Sequence, residues 1–146
     1  MKIEVVPVTS AEQLEQAHRI RFEVFVVEQK VPAEEELDEF ESLSRHFLAF
    51  DEHHQPCGTA RWRFTSEGVK LERFAVSERY RGRGVGSALV SAVLSDVAAH
   101  PNSPGKRIYL HAQLDAMPLY SKFGFEATGP MFEECDIRHF KMIRTP

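Results

Sequence analysis

Val69-Lys-Leu-Glu-Arg-Phe-Ala-Val76 leads directly into Ser77-Glu-Arg-Tyr80-Arg-Gly-Arg-Gly84-Val-Gly-Ser-Ala-Leu-Val90. The first part is an apolar run that reads as a strand. Arg79, Arg81 and Arg83 then interleave with Gly82, Gly84 and Gly86, and a helical period begins at once. Val85, Leu89, Val93 and Val97 share one helical face, with Ser87, Ser91 and Ser95 opposite. A strand that hands a glycine-rich turn to a helix N-terminus presents backbone N–H groups to an anion. Pro101, Pro104 and Gly105 stop the helix, and Arg107 to Ala112 reads as the next strand. Strand, turn, helix, strand is a βαβ unit, so its two strands should run parallel with a right-handed crossover.

Upstream, Ile3 to Val8 reads as a strand, and Ser10 with Gln13 forms a capping box that starts a helix near Ala11. Leu14, Ala17, Arg21, Val24 and Phe25 fall on one stripe of that helix, and Glu28 continues it. Arg21 and Glu28, seven residues apart, should face the same way, either as a polar lining of a cleft or snorkelling from the stripe's edge. Glu34, Glu35, Glu36, Asp38, Glu39 and Glu41 follow as an acidic segment, read as a solvated face or as a steering field for a cationic substrate. His46 to Phe50 and Thr59 to Thr65 are strands around a polar turn, and Gly68 closes a hairpin onto Val69 to Val76. Downstream, a short helix from Ala116 to Phe123 ends at Gly124, followed by strands at Phe125 to Ala127 and Ile137 to Arg144. The chain is therefore α+β, with a mixed sheet and helices on both faces.

At 146 residues the chain fits one domain, and 42% hydrophobic and 27% charged residues are ordinary for a soluble globular protein. A net charge of −4 argues against nucleic acid as partner, the arginine turn being its one basic cluster. Cys57 and Cys135 stand outside any CxxC or His-rich spacing, so no metal site is expected and both read as free thiols. The opening MKIEVVPVTS is too short and polar for a signal peptide, and no apolar run is long enough to span a membrane, so a cytoplasmic protein is expected.

Two nucleotide motifs fail at the glycine turn. A P-loop ends in Gly-Lys-Ser/Thr, which is missing, and the dinucleotide fingerprint needs one residue more than Gly82-x-Gly84-x-Gly86 supplies. Arg81-Gly-Arg-Gly84-Val-Gly86 instead resembles the R-x-x-G-x-G turn of the GCN5-related N-acetyltransferase (GNAT) superfamily. Gln113-Leu-Asp-Ala116-Met-Pro-Leu-Tyr120-Ser-Lys122-Phe-Gly124-Phe125 resembles that superfamily's N-x-x-A-x-x-L-Y-x-K-x-G-F segment, with Gln113 where Asn is usual. Arg21 to Gln29, His46, Gly58 to Arg61, Gln113 and Ile137 to His139 look like the ElaA/YjcF-type branch, with Asp136 where that branch often carries Gly.

The resemblance implies a mostly antiparallel, twisted GNAT-like sheet and an acetyl-coenzyme A co-substrate with no metal. Arg81, Gly82, Arg83, Gly84, Val85, Gly86 and Ser87 would hold the pyrophosphate, helped by Lys122, with Gln113 near the cofactor. Phe74, Ala75 and Val76 would align the pantetheine arm, and Tyr120 would protonate the leaving thiolate. An amine acceptor needs a general base, because near neutral pH only about one lysine-like amine in a thousand is uncharged. Glu72 is the first choice, two residues from Phe74 and so expected on its face; His111 and Glu28 are the others. Arg21, Glu28, His46, His111 and His139 are the candidates for the acceptor pocket. The expected activity is acetyl transfer from acetyl-CoA to a primary amine of a small molecule or peptide. A coenzyme A-binding sensor or interaction module without turnover is the alternative, and the oligomeric state is open, a homodimer included.

Overall fold

The structure, a computed structural model, describes residues 1–144. Seven strands among the described residues form one sheet. They are β1 (Glu4–Pro7), β2 (Arg45–Phe50), β3 (Pro56–Thr65), β4 (Gly68–Val76), β5 (Ile108–Gln113), β6 (Phe125–Glu134) and β7 (Ile137–Arg144). Their order is β1-β2-β3-β4-β5-β7-β6. β4 and β5 run parallel and every other pairing is antiparallel, as the βαβ reading requires. The helices are α1 (Ala11–Arg21), α2 (Ala33–Glu36), α3 (Val85–Ala99) and α4 (Met117–Ser121).

Helices cover both faces because the central strands are apolar on both. In β2, Phe47 and Ala49 join the core under α3, while Leu48 and Phe50 join Ala17, Ile20 and Val24 from the other side. The α3 face is the predicted stripe of Val85, Leu89, Val93 and Val97, all buried. At α1, the Ser10 hydroxyl accepts from Gln13 N–H (3.1 Å), while the Gln13 side chain accepts from Thr9 N–H (2.7 Å), one residue before the capping-box position.

Three local departures from regularity decide what lies where. First, α1 runs straight into a π-helical segment, Phe22–Glu28, whose i→i+5 winding shifts the phase of the helix. Arg21 and Glu28 therefore do not face the same way. Second, β4 carries a bulge. Thr59 pairs with Ala75 and Arg61 with Glu72, so β4 has one more residue than β3 across that span, and Arg73 within it takes φ 58°. Third, β4 and β5 pair only over Val69↔Ile108, Lys70↔Tyr109 and Leu71↔Leu110, then separate. Gly68 makes their close start possible, since a Cβ there would lie 2.2 Å from the Arg107 carbonyl oxygen that Val69 N–H binds.

β6 extends well beyond the predicted Phe125 to Ala127. Gly129-Pro130 breaks the alternation, and the register with β7 shifts between Thr128 and Phe132 before Phe132↔His139 resumes it. A two-residue turn then joins β6 to β7, with Cys135 at φ 50° and Asp136 at φ 64°. Two consecutive positive φ values are the geometry that tight hairpins favour, and the Asp136 position is where glycine would sit most easily.

Candidate active site

The glycine turn is built to leave amides unmatched. Gly82 (φ 76°) and Gly84 (φ 88°) both take left-handed backbone, and Gly84 is the N-cap of α3 with no side chain capping it. The N–H groups of Val85, Gly86 and Ser87 have no hydrogen-bond partner among the described residues. Fifteen residues of α3 line up their peptide dipoles behind this end. Arg83 and Lys122 make no ion pair among the described residues, so both cations are free to meet an anion. Arg81 is different. Its guanidinium donates to the Val76 carbonyl (3.1 Å) and pairs with Glu28 (2.9 Å), tying the turn to the end of β4 and to the π-helix.

Beside the turn lies the gap where β4 leaves β5. Ala75 pairs with Thr59, and Ser77 N–H donates to the Cys57 carbonyl (3.0 Å). By antiparallel alternation Val76 between them turns its N–H and C=O away from β3, into the gap. A cleft of about 310 Å³ opens along this divergence. Phe74 and Tyr120 line it from the α3 side, their rings edge to face at 5.7 Å, and Phe125 packs edge-on against Tyr120 at 6.1 Å. The Tyr120 hydroxyl has no hydrogen-bond partner among the described residues, and burial, with Asp115 adding to it, pushes its ionisation up. It therefore holds its proton.

The opposite wall belongs to the α1 face of the sheet. There Gln113 stands opposite His139 across β5 and β7, and His111 opposite Lys141. Gln113 exchanges amide hydrogen bonds with Gln29, Nε2 to Oε1 at 2.9 Å and the reverse at 3.4 Å, so the end of the π-helix closes this side of the cleft. His139 Nδ1 meets the Ile137 carbonyl at 2.7 Å, with Phe132 stacked on its ring. His111 Nδ1 lies 2.7 Å from Glu134 Oε1. The hydrogen bond from His111 outweighs burial and holds the Glu134 carboxyl below its usual range. Cys135, beside Glu134, donates its thiol to Glu35 (2.9 Å), and that contact and burial raise it to about 11.

The acidic segment divides: Glu34, Glu35 and Glu39 are exposed, as the solvated reading expects, and the other three are not. Glu36, Asp38 and Glu41 turn inward against Arg21, Arg61 and Arg73. Arg21 reaches Glu36 (2.8 Å) and Glu41 (2.7 Å), Arg61 reaches Asp38 (2.6 Å) and Glu41 (2.5 Å), and Arg73 reaches Glu36 (3.0 Å). Burial opposes ionisation of Glu41, yet Arg21 and His18 hold it down to about 2.

Glu72 belongs to the same network. The bulge at Arg73 corrects the expectation that Glu72 shares a face with Phe74: Glu72 pairs with Arg61 (2.5 Å) and Arg63 (2.8 Å), with Lys70 at 3.4 Å. Burial raises its carboxyl, but these three cations win and hold it low, which makes it a poor proton acceptor. Glu72 still lines the cleft, whereas three of the expected pocket residues lie elsewhere. Arg21 is fully buried in the ion network, Glu28 is taken by Arg81, and His46 is tucked under the Glu41 carbonyl (Nε2 at 2.9 Å). Of that group, His111 and His139 line the cleft. Sequence reading missed Gln29 and Glu134: Glu134 pairs with Ile137 and His111 with Lys141, so it is the side-chain contact past the β6 irregularity, and no pairing position, that joins Glu134 to a histidine 23 residues earlier. No group of three or more potential metal ligands occurs among the described residues, and no helix among them is long and apolar enough to cross a membrane.

A family model of the acetyltransferase (GNAT) domain matches residues 5–146. The chain belongs to the GNAT acetyltransferase family. YjcF of Bacillus subtilis, an uncharacterized N-acetyltransferase, is 40% identical over 134 residues, covering 91% of this chain and 93% of that protein. ElaA of Escherichia coli is 34% identical over 138 residues, 92% of this chain and 89% of ElaA. The crystal structure of E. coli ElaA superposes with a TM-score of 0.86 over 99% of this chain and all of that one, at 32% identity. Both relatives support the ElaA/YjcF-type branch of the GNAT family. A GNAT structure from Elizabethkingia anophelis with acetyl-CoA bound shares the fold at a TM-score of 0.67, covering 97% and 94% of the two chains at 19% identity.

Proposed function

We propose that this GNAT chain transfers an acetyl group from acetyl-CoA to a primary amine by direct attack. The observation that carries the reading is the succession of three features, the glycine turn following β4 directly and Tyr120 packing on Phe74 of the same strand. The uncapped start of α3, with Gly82 and Gly84 leaving the backbone bare, suits a pyrophosphate. Arg83 in the turn and Lys122 at the end of α4 are unpaired cations that suit its phosphates, while Arg81 acts by bracing the turn. The β4–β5 gap, with the Val76 N–H turned into it, suits a pantetheine amide and then a thioester carbonyl. The partnerless hydroxyl of Tyr120, in the cleft at the gap, suits the sulfur.

Each residue then has a task. The Val76 N–H donates to the carbonyl oxygen as negative charge develops on it, a contribution of about 3 kcal/mol for one well-placed donor. Tyr120 gives its proton to the departing sulfur, which its raised ionisation fits, since a tyrosine already ionised would have none to give. Phe74 and Phe125 fix the ring edge-on, which sets where the hydroxyl points.

The test is release of free thiol from acetyl-CoA with spermidine, lysine amide and n-butylamine as probes. Amine-dependent release with formation of the N-acetyl product supports the reading. Tight acetyl-CoA binding with no amine raising the rate above hydrolysis would make the protein a non-catalytic coenzyme A binder instead.

A further inference from the structure

We propose that His111, oriented by Glu134, takes the proton from the attacking amine; this rests on the acetyltransferase reading above. Glu134 is held ionised, and an ionised carboxylate can only accept. The hydrogen bond at 2.7 Å therefore puts the His111 proton on Nδ1 and leaves the lone pair on Nε2. That nitrogen has no partner among the described residues, and the ring lines the cleft. Phe132 and Tyr109 hold the ring from the sides, at 5.0 and 6.0 Å between centroids.

Placement argues for the role as much as chemistry does. Leu110 and Ala112 point into the core under α3, so His111 between them points to the α1 face. Tyr120 approaches the gap from the α3 side. Acid and base thus flank the β4–β5 gap from opposite faces of the sheet, and a thioester carbonyl in the gap would have the amine on one side and the sulfur on the other. The proton inventory closes. The amine nitrogen bonds to the carbonyl carbon and gives one proton to His111 Nε2, while the carbon–sulfur bond breaks and sulfur takes the Tyr120 proton. The imidazolium then returns its proton through solvent to the Tyr120 oxygen, so one amide and one thiol replace one amine and one thioester.

His139 is the competing imidazole on the same face. Its Nδ1 is bound to a backbone carbonyl, which fixes a tautomer but supplies no charge to stabilise an imidazolium. The other charged groups around His111 are Lys70 and Glu72 of β4, Glu67 in the β3–β4 turn and Lys141 of β7. Lys141 is paired with Glu67, and Lys70 leans on Glu72.

Two measurements test the pairing. In the unliganded protein, ¹⁵N–¹H correlation spectra should show neutral His111 as the Nδ1–H tautomer in wild type, and this preference should weaken in Glu134→Gln. An Nε2–H tautomer in wild type overturns the proposal. In steady state with the three probe amines, His111→Gln should lower kcat about 10²-fold or more and erase the acidic limb of its pH profile, with acetyl-CoA binding retained. Added imidazole should restore turnover to His111→Ala. A His111→Gln profile that keeps its acidic limb, or one lost in His139→Gln in its place, overturns the proposal while leaving acetyl transfer standing. If wild type acetylates none of the probes, both this proposal and the acetyltransferase reading fail together.

Discussion

Glu72 and Phe74 stand two residues apart on β4 yet face opposite sides of the sheet. Arg73 between them takes φ 58°, and the extra residue it inserts reverses the alternation. Phe74 is thereby free to meet Tyr120 in the cleft, while Glu72 is delivered to Arg61 and Arg63. One backbone irregularity puts the two on different walls of one cleft, Phe74 beside Tyr120 and Glu72 among the cations that neutralise it.

Glu72→Gln is accordingly expected to act on stability. Arg61 is fully buried and would lose one of its three carboxylates, at a cost of ~2–4 kcal/mol. Urea unfolding measures this directly, and the pH profile of turnover should keep its shape. Unchanged stability with the acidic limb of turnover lost would return Glu72 to the role of base.

Tyr120→Phe should do the reverse. Its hydroxyl has no partner to lose, so stability should move by less than about 1 kcal/mol, whereas kcat should fall by about 10²-fold. The deficit should shrink with an acetyl thioester of a more acidic thiol, whose sulfur leaves without help. An equal deficit for both thioesters would mean that the hydroxyl positions the substrate and does not protonate sulfur.

Gly84→Ala probes the anion turn through the backbone alone. A Cβ at residue 84 would touch nothing within 4 Å, so the cost comes from its φ of +88°. A penalty of about 1–2 kcal/mol for a left-handed non-glycine residue should tilt the α3 amides and weaken coenzyme A binding roughly tenfold by calorimetry. Affinity unchanged by the substitution would detach the pyrophosphate from this turn.

The acidic loop makes stability depend on pH. Asp38, Glu41 and Glu72 all titrate lower in the folded chain than free carboxyls do, Glu41 at about 2. Between the folded and unfolded values the unfolded chain binds more protons, so acid favours unfolding. Their contribution is complete at neutral pH and should drain away from about pH 5 toward pH 2. Glu41→Gln should lower the urea midpoint at neutral pH and flatten its decline in acid. A midpoint indifferent to pH over that range would show these carboxylates to be unpaired in solution.

The sequence made the βαβ unit legible because Val69 to Val97 carries a strand period, a glycine turn and a helix period in immediate succession. The glycine turn was legible from its short-range spacing, whereas Tyr120 was singled out only through the resemblance of its segment to the GNAT motif. The rest depends on phase and register. Arg21 and Glu28 read as neighbours only if the helix is regular, and the π-helical turn between them breaks that assumption. Glu36, Asp38 and Glu41 look solvated in a linear charge run, and only β3 and α1 folding beside them supply Arg61 and Arg21. Glu134 follows Gly129-Pro130, where the strand pattern stops, so its side-chain contact with His111 was beyond a local reading.

A crystal structure of the acetyl-CoA complex is the most direct test of the site. The expected result puts the pyrophosphate on the amides of Val85, Gly86 and Ser87, the pantetheine arm in the β4–β5 gap, and the thioester between Tyr120 Oη and His111 Nε2, with its carbonyl oxygen accepting from Val76 N–H. A cofactor that leaves that gap empty, or whose acetyl group lies on the far side of α4 from Tyr120, would contradict it.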